Sequence, residues 1–342
     1  MRFPLIVLVV FGHVLPEAHC HVGLDFSDMW LYHFLSEMIS HNLAKVRVPC
    51  FFIFSGYFFF LKMQAMDLAF YKKQVKRRFE SLMVPYLIWN TIAVAIGVFI
   101  YLIFSYLSIE SHSSFPQFAP VEWYWTGPAD YPLWFMRDLF CMALLSPLFY
   151  WYFKYTKLYG LVGLILLYVL CVESNIPGLS TTAFLFFGTG AFFGMNKGNI
   201  LEFCNKIQTP SYIIAGALLI ASTIYNDSTS HEVLARSFAP FGIISAFNLA
   251  DLWTRNCPRT KSFLLKMSST TFFIYATHEI FIINWTKGFF ARTSLANSAT
   301  GMMVSYFMIP VITVSVCLAL YYSMLKLFPG FMSIATGGRA NK

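Results

Sequence analysis

The chain has 342 residues, of which 58% are hydrophobic and 19% aromatic, while only 12% are charged. A soluble domain carries roughly 25% charged residues, so a soluble globular enzyme, a disordered chain and a collagen-like repeat are all excluded. The net charge of +8 reads as basic cytoplasmic loops rather than as a nucleic-acid surface.

Apolar runs predict helices at about 3–16, 46–61, 83–107, 132–153, 158–172, 179–195, 210–225, 237–253, 268–286 and 302–328. Together they predict an all-α polytopic transmembrane bundle of about ten spans, one domain over 1–342 with no internal boundary. The first run, MRFPLIVLVVFGHVLP, is shaped like a secretory signal. The following PEAHCHVG lacks an A-x-A cleavage site and nine more runs follow, so a retained first span is predicted. With both termini cytoplasmic, 18 of the 24 basic residues fall inside, five outside and one, Arg137, within a span. The positive-inside rule therefore predicts that orientation. Seven cysteines, from Cys20 to Cys317, contain no C-x-x-C pair, so neither a disulfide framework nor a zinc or other metal site is expected. Outside segment 108–131 carries Trp123, Tyr124 and Trp125, which read as an interfacial aromatic belt ahead of a sugar-stacking platform.

Ionisable groups inside a span cost roughly 2.5 kcal/mol or more at mid-bilayer and are functional candidates by default. In the first span Arg2 and His13 are eleven positions apart, about 1100° of rotation, so they share a helix face about 16 Å apart along the axis. The bland alternative is an anchoring arginine and an interfacial histidine. In the fourth span, PLWFMRDLF places Arg137 and Asp138 roughly 7 to 9 Å in from the outer end. Neighbours on a helix point about 100° apart, so each is expected to find its partner on another helix. In the ninth span, His278 and Glu279 of YATHE lie at a depth comparable with His13. A polar pocket is therefore expected between spans one, four and nine. Ser55-Gly56 in the second span reads as a small packing step rather than a nucleophile, and no G-x-S-x-G elbow is present. Segment FYKKQVKRRFE, with Lys73, Lys76, Arg77 and Arg78, suits either anionic lipid headgroups or the phosphates of a cytosolic cosubstrate.

The R-x10-H spacing of Arg2 and His13, with VPCFFIFSGYFFF, RRFESLMVPYLIWN, PLWFMRDLF and YATHE, resembles acyltransferase family three over about 1–155 and again at 268–286. These polytopic membrane proteins move acyl groups, usually acetyl from acetyl-CoA, onto sugars, and the likeness is closest to members that acetylate capsule and exopolysaccharide. The motif arginine normally follows several residues, whereas here it is residue 2, which leaves the first span short. The resemblance implies that His13 acts in acyl transfer and Arg2 helps to hold the donor. It also implies an acyl-CoA donor, a carbohydrate acceptor, polysaccharide-assembly partners and a bacterial inner-membrane location. Supporting roles are inferred for Arg137 at the developing oxyanion and for Asp138 or Glu279 in orienting a histidine. Lys73, Lys76, Arg77 and Arg78 are the candidates for CoA phosphates. A glycan or lipid-linked-sugar transporter is the main alternative, because intramembrane His, Arg and Glu also line translocation pathways. A non-catalytic scaffold subunit of a polysaccharide-assembly complex is the third reading.

Overall fold

A computed structural model describes residues 1–15, 21–24, 26–107 and 121–339. Cys20 and the first part of the 108–131 segment lie outside the described residues. Helix occurs in every apolar run predicted above, but the first helix ends at Phe11, short of the predicted 3–16, and leaves His13 in the turn beyond it; no strand occurs among the described residues.

The first helix, α1, is Arg2–Phe11, followed by α2, Trp30–Phe60, and α3, Leu68–Tyr106. Asp67 caps the start of α3 by accepting from the Phe70 amide at 2.7 Å. Next come α4, Tyr131–Leu144, and α5, Ser146–Val169, which meet at 61°. Pro132 and Pro147 stand at their first turns, where a missing N–H costs nothing. Lys157 has φ 51° and ψ −131° and breaks α5, at the boundary between the fifth apolar run and the fourth. Helix α6 is Thr181–Met195, α7 is Ile200–Lys206, α8 is Gln208–Ile224 and α9 is His231–Asn256. Then follow α10, Pro258–Met267, α11, Thr271–Thr277, α12, Ile283–Ala291, α13, Ala299–Leu327, and α14, Pro329–Ala335.

Among the described residues four helices (α2, α3, α9 and α13) are long and apolar enough to cross a membrane, or up to six if the bent pairs α4–α5 and α7–α8 each count as one span. Helices α1 and α6 are apolar but shorter.

The tightest pair is α2 against α6. A Cβ on Gly56 would lie 2.2 Å from the Phe187 carbonyl oxygen, and one on Gly190 would lie 2.2 Å from that of Ile53. Glycine therefore lets the two backbones touch. Gly56 fulfils the packing role expected of the Ser55-Gly56 step, whereas Ser55 faces a cavity described below.

Among the segments that depart from α geometry next to the cavities, two bear on the site. Met38–Asn42 and His278–Ile282 are π turns. The second contains non-helical Ile280 and Phe281, the latter at φ 65°, and so divides the ninth predicted span into α11 and α12. Such turns widen the helix locally and redirect the side chains on it.

Candidate active site

Helix α1 has only ten residues, and in the turn that follows Gly12 N–H bonds Leu8 at 3.1 Å, His13 N–H bonds Val10 at 3.1 Å and Val14 N–H bonds Phe11 at 3.2 Å. Side chains of α2 and α12 add further donors at this end. Arg47 donates from Nη1 to the Leu8 and Val9 carbonyls, each at 3.3 Å. The Ser40 hydroxyl donates to Phe11 at 2.7 Å. Lys287 donates to the His13 carbonyl at 3.1 Å. Two of these donors are cations, placed where the helix dipole is negative. Gly12 makes the arrangement possible, because a Cβ there would sit 1.3 Å from Arg47 Nη1. His13, in the turn that follows, is thus held from below by α2 and from the side by α12.

Removing the Arg47 head group leaves two carbonyls without their charged donor. Arg47→Met is expected to cost about 1.5–3 kcal/mol, measured as earlier thermal unfolding in detergent. An unshifted melting curve would show that those carbonyls are satisfied without it.

The His13 ring meets the π turn. His13 Nδ1 lies 3.2 Å from Glu279 Oε2. The contact does not have the geometry of a straight hydrogen bond. His278 packs against His13 with ring centroids 5.1 Å apart. Its Nδ1 faces the Ile274 and Tyr275 carbonyls at 3.0 and 2.9 Å, so that nitrogen carries the proton and Nε2 holds a lone pair. Nε2 is buried without a hydrogen-bond partner. The ligand atoms of His13, His278 and Glu279 all lie within 4.8 Å of one another. Two imidazoles and a carboxylate this close can relay a proton, and they could also surround a metal ion.

Two cavities meet at this helix and share Val48 in their walls. The larger, about 830 Å³, opens beside His13 and Glu279, with Arg47, Tyr131 and Trp134 on its walls. Its far side is a network of charges that satisfy one another. Lys45 reaches Glu232 at 2.8 Å and Arg236 reaches Glu232 at 2.7 Å, while Arg236 also pairs with Glu173. The smaller cavity, about 380 Å³, runs along the other part of α1 from Arg2 to Val9. Phenylalanines of α2 and α4 make it apolar in the middle, and Arg2, Arg78 and Arg339 line it.

The remaining predicted residues divide clearly. Arg137 and Asp138 line neither cavity. They pair with each other, Nη2 to Oδ1 at 2.9 Å, contrary to the expectation that each finds a partner on another helix. The long arginine side chain curls back across the 100° between them, while its Nη1 binds the Trp125 carbonyl and that of Thr126, the latter at 3.2 Å. Span four reaches the His13 cavity through Tyr131 and Trp134 instead. Trp125 stacks near that guanidinium, 6.0 Å from its ring centroid, and belongs to this support as well as to the aromatic segment. Of the basic run, Lys73, Lys76 and Arg77 are exposed and outside both cavities. Lys76 faces Glu80 at 4.0 Å. Arg78 alone turns inward, donating to the Ser55 carbonyl at 3.3 Å. Sequence reasoning missed Arg47, Lys287 and Arg339, which it counted only as loop charges; their one signal was proximity to an apolar run.

A family model described as an acyltransferase domain matches residues 1–322. The chain belongs to acyltransferase family three. It is also 26% identical to the succinoglycan biosynthesis protein ExoH of Rhizobium meliloti (strain 1021), over 99% of this chain and 91% of that protein. No solved structure matches the chain. The membership, with the long apolar helices, makes this an integral membrane acyltransferase.

Proposed function

We propose that the protein is an O-acyltransferase that moves an acetyl or similar acyl group from acyl-CoA to a sugar hydroxyl of a surface polysaccharide or lipid-linked glycan. One observation carries this reading. A cationic cavity and a histidine–carboxylate cavity occupy the two ends of one short helix and share a wall at Val48. Arg2 opens α1 and His13 lies two residues beyond its end, about 16 Å away at helical rise, a distance that an extended pantetheine arm covers. The donor's phosphates rest at Arg2 and Arg78, the arm crosses the apolar middle, and the thioester arrives beside His13. The relation to a succinoglycan biosynthesis protein supports a polysaccharide acceptor, which enters through the larger cavity.

In that arrangement Glu279 holds the proton on His13 Nδ1 and leaves Nε2 free to accept one. Nε2 takes the acceptor hydroxyl's proton as its oxygen attacks the thioester carbonyl. The tetrahedral intermediate then collapses, the C–S bond breaks, and the imidazolium returns the proton to the departing thiolate. Arg47 lines the His13 cavity and is the guanidinium placed to stabilise the oxyanion, a role the sequence reading gave to Arg137.

The excess of basic residues on one side supports a bundle of about ten spans with both termini cytoplasmic, which puts the arginine cavity inside and His13 toward the outer face. An inner-membrane location follows from that reading. Reporter fusions after residues 115, 157 and 230 are expected to report outside, inside and outside; an inside signal at 115 or 230 overturns the topology. The function itself is tested by NMR of surface polysaccharide from cells with and without the protein. Loss of acetyl or other acyl signals on deletion, restored by the gene, is expected; an unchanged spectrum overturns the acceptor assignment.

A further inference from the structure

Arg339 lies beyond the residues that the family model matches. Helix α14 ends at Ala335, and Gly337 and Gly338 take φ of +61° and +75°, a left-handed pair that folds the tail back on itself. The turn seats Arg339 against the inner part of α3. Its Nη1 donates to the Thr336 carbonyl at 2.8 Å and to Ser81 at 3.0 Å, and its guanidinium lies over the Phe272 ring at 4.6 Å. Those contacts hold the side chain in the wall of the cavity that Arg2 and Arg78 also line.

The charge there is one-sided. No Asp or Glu lines the cavity, and none of the three arginines forms an ion pair among the described residues. Burial, with the neighbouring charges of Arg2 and Arg78, pushes the Arg339 guanidinium down to about 10. Three converging cations in a partly closed, largely apolar space are stabilised by an anion. A second observation points to the same ligand: Ser55 lines this cavity, and its buried hydroxyl has no hydrogen-bond partner among the described residues.

We propose that the folded-back C-terminal tail completes the donor site, with Arg339 as a phosphate ligand of the acyl-CoA. This rests on the reading of the arginine cavity as the donor's. CoA carries a diphosphate and a separate ribose phosphate, more anionic groups than Arg2 and Arg78 can each pair one to one, and a third guanidinium matches that surplus.

The test uses the full chain in nanodiscs and CoA itself as the probe. Arg339→Gln is expected to weaken CoA binding by about tenfold and to raise the donor KM more than it lowers kcat. Arg339→Lys recovers part of the affinity, and binding of pantetheine, which has no phosphate, is unchanged. CoA is also expected to protect Arg339 of the parent protein from phenylglyoxal, mapped by mass spectrometry, a measurement that needs no variant to fold. Absence of protection overturns the proposal. If Arg78→Gln weakens CoA binding and Arg339→Gln does not, the tail is not a ligand although the donor cavity stands. If neither weakens it, the donor reading itself falls. If Arg339→Gln loses only phosphatidylglycerol, read by native mass spectrometry in nanodiscs with and without that lipid, the phosphate belongs to a lipid headgroup and the proposal is wrong.

Discussion

His13→Ala is expected to lower acyl transfer by about 10²- to 10⁴-fold, the usual consequence of losing a general base. A sugar hydroxyl is a weak nucleophile near neutral pH, so the proton must leave as the carbon–oxygen bond forms. His13 lines the larger cavity with a carboxylate 3.2 Å from its Nδ1. The substitution leaves the helix ending intact, because Lys287 bonds to the residue-13 carbonyl rather than to the ring. Expression and thermal stability should therefore stay near those of the parent, which separates lost chemistry from lost fold. Glu279→Gln should reduce the rate less than His13→Ala, since it weakens only the group that orients the ring. The check is transfer of labelled acetyl to acceptor by purified protein. Substantial transfer by the His13→Ala protein would remove His13 from the mechanism, and loss of transfer in His278→Ala alone would move the base to the buried neighbour.

Gly190→Leu is expected to abolish folding, and Gly190→Ala to destabilise by about 1–3 kcal/mol or more. A Cβ at residue 190 would lie 2.2 Å from the Ile53 carbonyl oxygen and 2.7 Å from the Tyr57 amide nitrogen. Both are backbone atoms of α2, so no side chain can swing away to make room. The helices would have to separate along a contact that Gly56 and Gly194 also form. The consequence reaches the site, because α2 carries Arg47 and Ser55 and borders both cavities. Thermal unfolding in detergent, with the monodisperse fraction from size exclusion, measures this. An alanine variant that melts with the parent would mean that α2 and α6 do not meet at backbone distance.

How much of the site was legible in the sequence follows from the range of the interactions involved. His13 and Arg2 stood out as an imidazole and a cation eleven positions apart in one apolar run, although α1 ends at Phe11 and His13 lies in the turn beyond. His278 and Glu279 stood out because ionisable groups in an apolar run are costly. That these two meet His13, while Asp138 does not, depends on how α4 and α11 are rotated about their axes, and on the π turn that begins at His278. Hydropathy does not encode that rotation. The same limit explains the basic run. Its composition marked a cationic surface, but only packing against α2 turns Arg78 inward to Ser55 and leaves its neighbours in solvent.

The sequence by itself determined an all-helical membrane chain, because a bilayer admits only apolar segments that satisfy their own backbone, whereas α1 ends at Phe11, so helix register alone does not set where His13 stands in the turn beyond it. Tertiary structure decided the rest of the site. It turned Arg137 and Asp138 into a mutual pair that supports the Trp125 segment, brought Arg47 into the space left by Gly12, and returned Arg339 from the chain's far end to the arginine cavity. Each of those outcomes joins residues whose approach costs chain entropy and is settled only when whole helices pack, so no short stretch of sequence carries it.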